Sequence, residues 1–349
     1  MTEESLAIGK LEPEILKSMI YTHLGKEDGR VLVGPKIGED AAIIEFGDRV
    51  LVVHSDPITG AIENIGSLAV KVSTNDVASR GARPRWISVV IFLHEGSTSS
   101  QLRAIIDQID SEARKLEVAV VGGHTEVTAG LNRPILSVTA MGEAPRGRYV
   151  TSSNANKGDM IIMTKEAAIE GTAIFASELH DILKDKLGEA LMNEAKRFFD
   201  RISIVKEAMV AMETGGVTAM HDATEGGVAA ALQELALASG LGVMAYEEKI
   251  PLSPETEAIC KILGADPLRT VSSGTLLISA RRGMAQQIVE NIRAHGIGAS
   301  IIGEFTERED GLWILRRDGS KLDLSEMVQE QLWIVLAKYF RNLGRKSSN

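Results

Sequence analysis

Hydrophobic and polar positions along the chain switch repeatedly between a strand-like and a helix-like period. Short apolar runs at Ala41–Phe46 and Val50–His54, joined by Gly47-Asp48, predict two strands around a tight turn. Trp86–Leu93 is nearly continuous in apolar residues, the pattern of a strand buried on both faces. Val118–Val121 and Ile135–Gly142 predict two more strands, and Val31 to Asp40 an extended piece ending in a turn. Between them lie helical spacings. Ile15, Met19 and Leu24 share a face within Leu11–Leu24, and Leu102, Ile105, Ile106, Ile109 and Ala113 share one within Ser99–Leu116. Asn64 is placed to cap a helix running to Ser79, stopped by Gly81 and Pro84.

From Pro145 to Asp159 the chain is polar and rich in Arg, Ser, Asn and Gly, which predicts a domain boundary. Beyond it, strands are predicted at Met160–Thr164, Val217–His221, Thr275–Ala280, Ser300–Glu304 and Leu312–Leu315. Helices are predicted from Gly171-Thr172, through 189–213, over Gly226–Ser239, at 283–295 and finally over Leu324–Tyr339, with a loose tail at Arg345–Asn349. Both halves mix strands and helices, so two α+β domains are expected, at 1–150 and 151–323, followed by a helix and tail at 324–349.

A chain of 349 residues exceeds what one core usually serves, which agrees with two domains. The formal net charge is −10, and the basic pieces, such as Arg146–Arg148 and Arg341–Lys346, are short. That balance argues against a nucleic-acid partner. No apolar run is long enough to cross a bilayer, and the N-terminus lacks a basic start with an apolar run, so no membrane role and a cytoplasmic location are expected. The single cysteine, Cys260, permits neither an internal disulfide nor a thiolate zinc cage. Beside Ile259 and Ile262 it reads as a buried helix residue.

Three segments place carboxylates near element ends: Ile37-Gly-Glu-Asp40, His54-Ser-Asp-Pro57 and Thr74-Asn-Asp-Val77. Mg²⁺ takes oxygen ligands while bridging to phosphates, so Asp40, Asp56 and Asp76 suit it if the fold gathers them; solvated surface carboxylates are the alternative. Asp76 sits among apolar helix residues, where an unbound charge is costly. In Val120-Val-Gly-Gly-His-Thr-Glu126 a strand runs into paired glycines. Gly122 and Gly123 could approach a phosphate, with His124, Thr125 and Glu126 offering a donor, a hydroxyl and a carboxylate; a plain turn is the other reading. Lys36 can add positive charge. In Val217–Val228, Asp222 and Thr224 suit a helix cap while Gly226 and Gly227 leave the first N–H groups open to an anion, or serve packing alone. Thr172, in Glu170-Gly-Thr-Ala173, could help hold a second anion. Walker A, Gly-x-Gly-x-x-Gly and His-Glu-x-x-His patterns are absent.

Taken in order, these segments resemble the aminoimidazole ribonucleotide synthetase (PurM-like) superfamily, which includes HypE, selenophosphate synthetase and thiamine monophosphate kinase. Gly38-Glu-Asp-Ala-Ala42 resembles its Gly-Asp-Asp-Ala-Ala, and His54-Ser-Asp56 its Ser/Thr-Thr-Asp. Asn75-Asp-Val-Ala-Ser-Arg-Gly-Ala-Arg-Pro84 and Asp222-Ala-Thr-Glu-Gly-Gly227 resemble the corresponding HypE segments. The resemblance spans about residues 30 to 305. It implies an N-terminal PurM-like ATP-binding domain whose sheet pairs with a second copy's into a barrel, a C-terminal PurM-like α/β sandwich, and a homodimer. It further implies ATP and Mg²⁺ held by Gly38, Asp40, Asp56, Asp76 and Gly122-Gly123. The γ-phosphate would pass to a weak, amide-type oxygen on an acceptor beside Asp222, Thr224, Gly226 and Gly227. Two departures stand out. His124 replaces the family's Asp or Glu, leaving Glu126 as a substitute ligand. No cysteine occurs in Arg345–Asn349, where HypE carries its substrate. A separate small-molecule or protein-borne substrate is therefore expected. The alternatives are a nucleotide-binding partner protein without chemistry, or hydrogenase maturation with the thiol on another chain.

Overall fold

The computed structural model describes residues 11, 13–59 and 64–346. Its first half is a six-stranded sheet made of β1 (Val31–Val33), β2 (Ala42–Phe46), β3 (Arg49–Ile58), β4 (Arg83–His94), β5 (Ala119–Thr128) and β6 (Ile135–Pro145), in the order β1-β2-β3-β6-β4-β5. Phe46 pairs with Arg49, so the predicted Gly47-Asp48 turn is a two-residue hairpin, with Gly47 at φ +70°. β4 and β5 are parallel, which requires a crossover. The helix Ser99–Lys115 supplies it, opened by a reciprocal capping box between Thr98 and Gln101. Alternate residues of β3, β4 and β6 are buried, so one face of the sheet is covered by this helix and by Ile65–Ser79.

The second half is a seven-stranded sheet of β7 (Met160–Thr164), β8 (Val217–Ala223), β9 (Gly242–Tyr246), β10 (Thr275–Ala280), β11 (Ala299–Thr306), β12 (Leu312–Leu315) and β13 (Lys321–Asp323), in the order β13-β12-β9-β11-β7-β10-β8. Helix Gly227–Ser239 packs on one face, and Val205–Thr214 and Arg282–Ala294 pack on the other. Both predicted α+β halves are present, and the second has its sheet between helical layers.

Several local expectations change. The terminal helix spans Gln331–Lys346 and does not begin at Leu324, because Lys321–Asp323 pairs with β12 and the Leu324 N–H bonds the Leu312 carbonyl at 3.0 Å. The tail expected at 345–349 is helical through Lys346; residues 347–349 lie outside the described residues. The first helix is only Pro13–Ile15 followed by a π turn over Leu16–Ile20, with Met19 and Ile20 exposed. Asn64 takes a left-handed conformation (φ 57°) and makes no side-chain cap. Gly122-Gly123 is not a turn. β5 runs straight through it, and a Cβ on Gly123 would lie 1.9 Å from the Val89 carbonyl oxygen. The glycines permit close approach of β5 to β4 beside an irregularity in register.

The two halves share a polar joint. Helix Ile65–Ser79 is buried along its length, and the Asn75 amide both donates to the Ile202 carbonyl and accepts from the Ile204 N–H, each at 2.9 Å. The next residue after this helix, Arg80, is fully buried. Its guanidinium donates to Glu39 (2.7 Å), Asp40 (2.6 Å), Ser152 (3.1 Å) and the Met220 carbonyl. Removing one partner of a buried ion network leaves uncompensated charge. Arg80→Ala should therefore cost about 3–5 kcal/mol in urea unfolding; a loss below about 1 kcal/mol, the range of a surface ion pair, would show that the joint carries no such weight.

Candidate functional site

A cavity of about 710 Å³ opens beside this joint. Lys36, Gly38, Asp40, Asp56 and Asp76 reach it from the first half, and Asp222 and Thr224 from the second. Each arrives by a different local device. Gly38 (φ +82°) lets the loop before β2 press onto helix Gly227–Ser239, where a Cβ would lie 3.1 Å from that of Ala238. Asp56 lies near the end of β3. Asp76 follows Asn75 on the buried helix and is itself buried. Asp222 is the next-to-last residue of β8, inside its buried run.

The carboxylates form two groups rather than one. Ligand atoms of His54, Asp56 and Asp76 lie within 4.8 Å of one another, with His54 Nε2 3.4 Å from Asp76 Oδ2. Asp40 groups instead with His221 and Asp222. Its Oδ2 accepts from Arg80 and from Ser79 Oγ (2.8 Å), while Oδ1 lies 2.6 Å from His221 Nδ1. The other His221 nitrogen pairs with Glu234. Two carboxylates beside one ring favour the imidazolium over the neutral imidazole.

Burial and partners set the charges. Burial pushes the Asp40 carboxyl up, but the Arg80 guanidinium and His221 beside it prevail and hold it well below the usual carboxylate range. Burial would lower His221, yet Asp40 and Glu234 raise it well above its ordinary value. Burial, reinforced by Asp40, pushes the Asp222 carboxyl up to about 7. Its Oδ2 is buried with no hydrogen-bond partner. Burial likewise raises Glu170, another cavity residue, to about 7.

The remaining expected residues lie elsewhere. Gly122, Gly123, His124, Thr125 and Glu126 run along the exposed outer strand β5 and do not line the cavity of this chain. Glu126 accepts from Thr128 (2.8 Å) and pairs with His124 (3.0 Å), so within one chain it is not grouped with the aspartates. Thr172 is buried, with its hydroxyl 2.8 Å from that of Thr256, facing the interior rather than an anion. Gly226 donates its N–H to Glu330, and a Cβ on Gly227 would lie 2.5 Å from the Thr270 carbonyl oxygen. Cys260 is buried and its thiol is pushed up to about 12, as a packing residue requires.

Comparison with known proteins adds the lineage. The models for the N-terminal and C-terminal domains of AIR synthase related proteins match residues 38–144 and 156–314. The chain belongs to the AIR synthase related family. Among the family's members, a putative hydrogenase expression/formation protein of Methanocaldococcus jannaschii is 32% identical over 88% of this chain and 91% of its own length. The carbamoyl dehydratase HypE of Escherichia coli is 29% identical over 77% of this chain and 80% of its own. A crystal structure of HypE in complex with ATP superposes with a TM-score of 0.71 at 22% identity, covering 95% of this chain and 98% of that one, which shows a common fold.

Sequence reasoning missed Arg80, His221, Glu170 and Glu234 as parts of the site. His221 carried a signal: an imidazole inside the apolar run Ala219-Met220-His221 needs a buried partner. Arg80 carried a weaker one, since nothing local distinguishes it from a solvated residue after a helix. A carboxyl with a raised folded pKa retains a proton that the unfolded chain has released. Stability should thus fall as pH rises from about 4 to about 7 through Asp222 and Glu170. Asp222→Asn should flatten part of that decline in pH-dependent urea unfolding, whereas an unchanged slope would mean Asp222 titrates normally.

Proposed function

We propose that this chain is an ATP-dependent enzyme that passes the γ-phosphate of ATP to a weakly nucleophilic, amide-type oxygen on a separate acceptor. The observation carrying this reading is that Lys36, Gly38, Asp40, Asp56, Asp76, Asp222 and Thr224, from both halves of the chain, share one cavity. Its volume lies within the range of small-molecule sites. That carbamoyl dehydratases are among the relatives, and that HypE has been solved in complex with ATP, supports this reading.

Asp56 and Asp76 present carboxylate oxygens close enough to hold one hard divalent cation. Bound there, Mg²⁺ would neutralise phosphate charge. Asp40 takes a supporting role, because Arg80, Ser79 and His221 already occupy its oxygens. Lys36 meets the phosphates. The acceptor lies towards Asp222 and Thr224, on the second-half wall. Its oxygen forms the new bond to phosphorus as the β–γ bridging bond breaks, and ADP leaves. The charged His221 behind Asp40 keeps the aspartate oriented. Cys260 is buried in a helix, so it does not serve as a carrier thiol. In this reading the acceptor arrives on another molecule; a role in hydrogenase maturation would then place the thiol on a partner chain.

A homodimer completes this reading. β5 is an edge strand on which Val120, Val121 and Val127 are 51%, 56% and 60% exposed, an unprotected edge of the kind that another strand covers. Pairing of two copies there would also enclose His124, Thr125 and Glu126.

The pure protein should turn over ATP in Mg²⁺, in the presence of a carbamoyl-bearing acceptor. Asp76→Asn should lower that turnover by about 100-fold or more, the scale of losing one preorganised charge contact. Equal rates in both proteins would remove the metal role. Tight ATP binding with no turnover across acceptors would favour the nucleotide-binding partner instead.

A further inference from the structure

The carboxyls lining the cavity outnumber the groups that can neutralise them. Arg80 holds Glu39 and Asp40, His221 meets Asp40 and Glu234, and His54 stands beside Asp76. The cation proposed above would take Asp56 and Asp76. Glu170, Asp222 and Glu225 remain, all on the second-half wall. No ion pair joins any of these three to a Lys, Arg or His among the described residues. The charges acting on Glu170 come from Glu330, Asp56 and Glu225, all acidic. Arg80 and His221 draw Asp222 down, but burial and Asp40 outweigh them. Asp222 is 1% exposed and lines the cavity, yet its Oδ2 has no hydrogen-bond partner among the described residues. A buried polar atom left unmet in this way is costly, and a ligand that completes it recovers the cost.

Three segments meet to build this wall. The Gly171 N–H bonds the Val271 carbonyl at 2.9 Å, and the Ala168 N–H bonds Ser272 Oγ at 2.8 Å. A Cβ at 171 would lie 2.3 Å from Thr270 Cγ2, so glycine lets helix Ile169–Glu178 start this close to the next segment. The Ser272 N–H in turn bonds the Thr224 carbonyl at 3.2 Å, which ties in the loop after Asp222. Glu170 thereby comes within reach of the Ser273 hydroxyl, and Ile174 and Val271 supply apolar surface on the same wall. Glu170 belongs to neither of the two groups tight enough for a metal ion. The wall therefore suits a ligand broader than a bare cation, with N–H donors and an apolar stem.

We infer that the acceptor carries an organic cationic group, an ammonium or guanidinium, whose N–H donors bind Glu170 and Asp222 while its stem lies on Ile174 and Val271. This deepens the phosphoryl-transfer reading and rests on it only for calling the ligand the acceptor; the seat is independent of any turnover. In the free protein both carboxyls favour the neutral form, because burial is not compensated by a cation. A cation seated between them stabilises their ionised forms and meets the open oxygen of Asp222. An acceptor whose only charge is a phosphate or carboxylate gains neither.

The test is titration calorimetry of the full chain at neutral pH with methylguanidinium chloride and with acetamide, at equal ionic strength, first without metal and then with Mg²⁺. Methylguanidinium should bind about tenfold or more tightly than acetamide, because charge-assisted hydrogen bonds are the stronger ones. Glu170→Gln and Asp222→Asn keep side-chain size, and urea unfolding checks that each is folded. Each should weaken methylguanidinium by about tenfold, the scale of one hydrogen bond to a charged group, and leave acetamide nearly unchanged. Equal affinity for the two probes, or unchanged methylguanidinium affinity in both variants, would overturn the inference. Full displacement by Mg²⁺ would also overturn it, by showing these carboxyls to be a metal seat. Mg²⁺-ATP turnover is a separate readout. Turnover of an uncharged carbamoyl acceptor without methylguanidinium binding sinks this inference alone, whereas methylguanidinium binding with no turnover of any acceptor sinks the catalytic reading alone.

Discussion

The Arg80 guanidinium is the interaction on which the rest of the molecule turns. A fully buried cation is expensive, and the cost is offset only if every donor is met. Glu39 and Asp40 come from the loop before β2, Ser152 from the segment joining the sheets, and the Met220 carbonyl from β8. One side chain therefore fixes the loop that carries Asp40 against the strand that carries His221 and Asp222. The charges that follow are consequences of this placement. Asp40 stays ionised between two cations, His221 stays protonated between two carboxylates, and Asp222, left outside both pairings, favours its neutral form.

The cavity that results is polarised by shortage of positive charge. Lys36 is the one Lys or Arg among its described lining residues, against many carboxylates. A polyphosphate would meet repulsion in such a site, and the divalent cation proposed on Asp56 and Asp76 would resolve the conflict by inverting the local field.

Much of this was legible in the chain. Strand and helix periods located most of the elements, and the polar stretch from Pro145 to Asp159 falls between the two sheets. Asp40, Asp56, Asp76, Asp222 and Thr224 stood at element ends or in buried settings, and all five line the cavity. What could not be read was pairing over long distances. The grouping of Asp40 with His221 spans the two halves, and nothing near either residue announces it. Gly122-Gly123 looked like a turn because paired glycines serve turns and close strand contacts equally. The terminal helix looked longer because Lys321–Asp323 becomes a strand only when β12 is present to pair with it. Glu330 was hidden for the same reason: it accepts from Gly226 and Val271 only once their two loops have met.

The central claim is that a metal–nucleotide complex sits between the halves with its cation on Asp56 and Asp76. The most direct measurement is anomalous scattering from crystals grown with Mn²⁺ and a nonhydrolysable ATP analogue. The account predicts an anomalous peak within coordinating distance of both carboxylates, phosphate density running towards Lys36, and the Arg80–Asp40 contact intact. A peak located away from both aspartates, or nucleotide density outside this cavity, would contradict it.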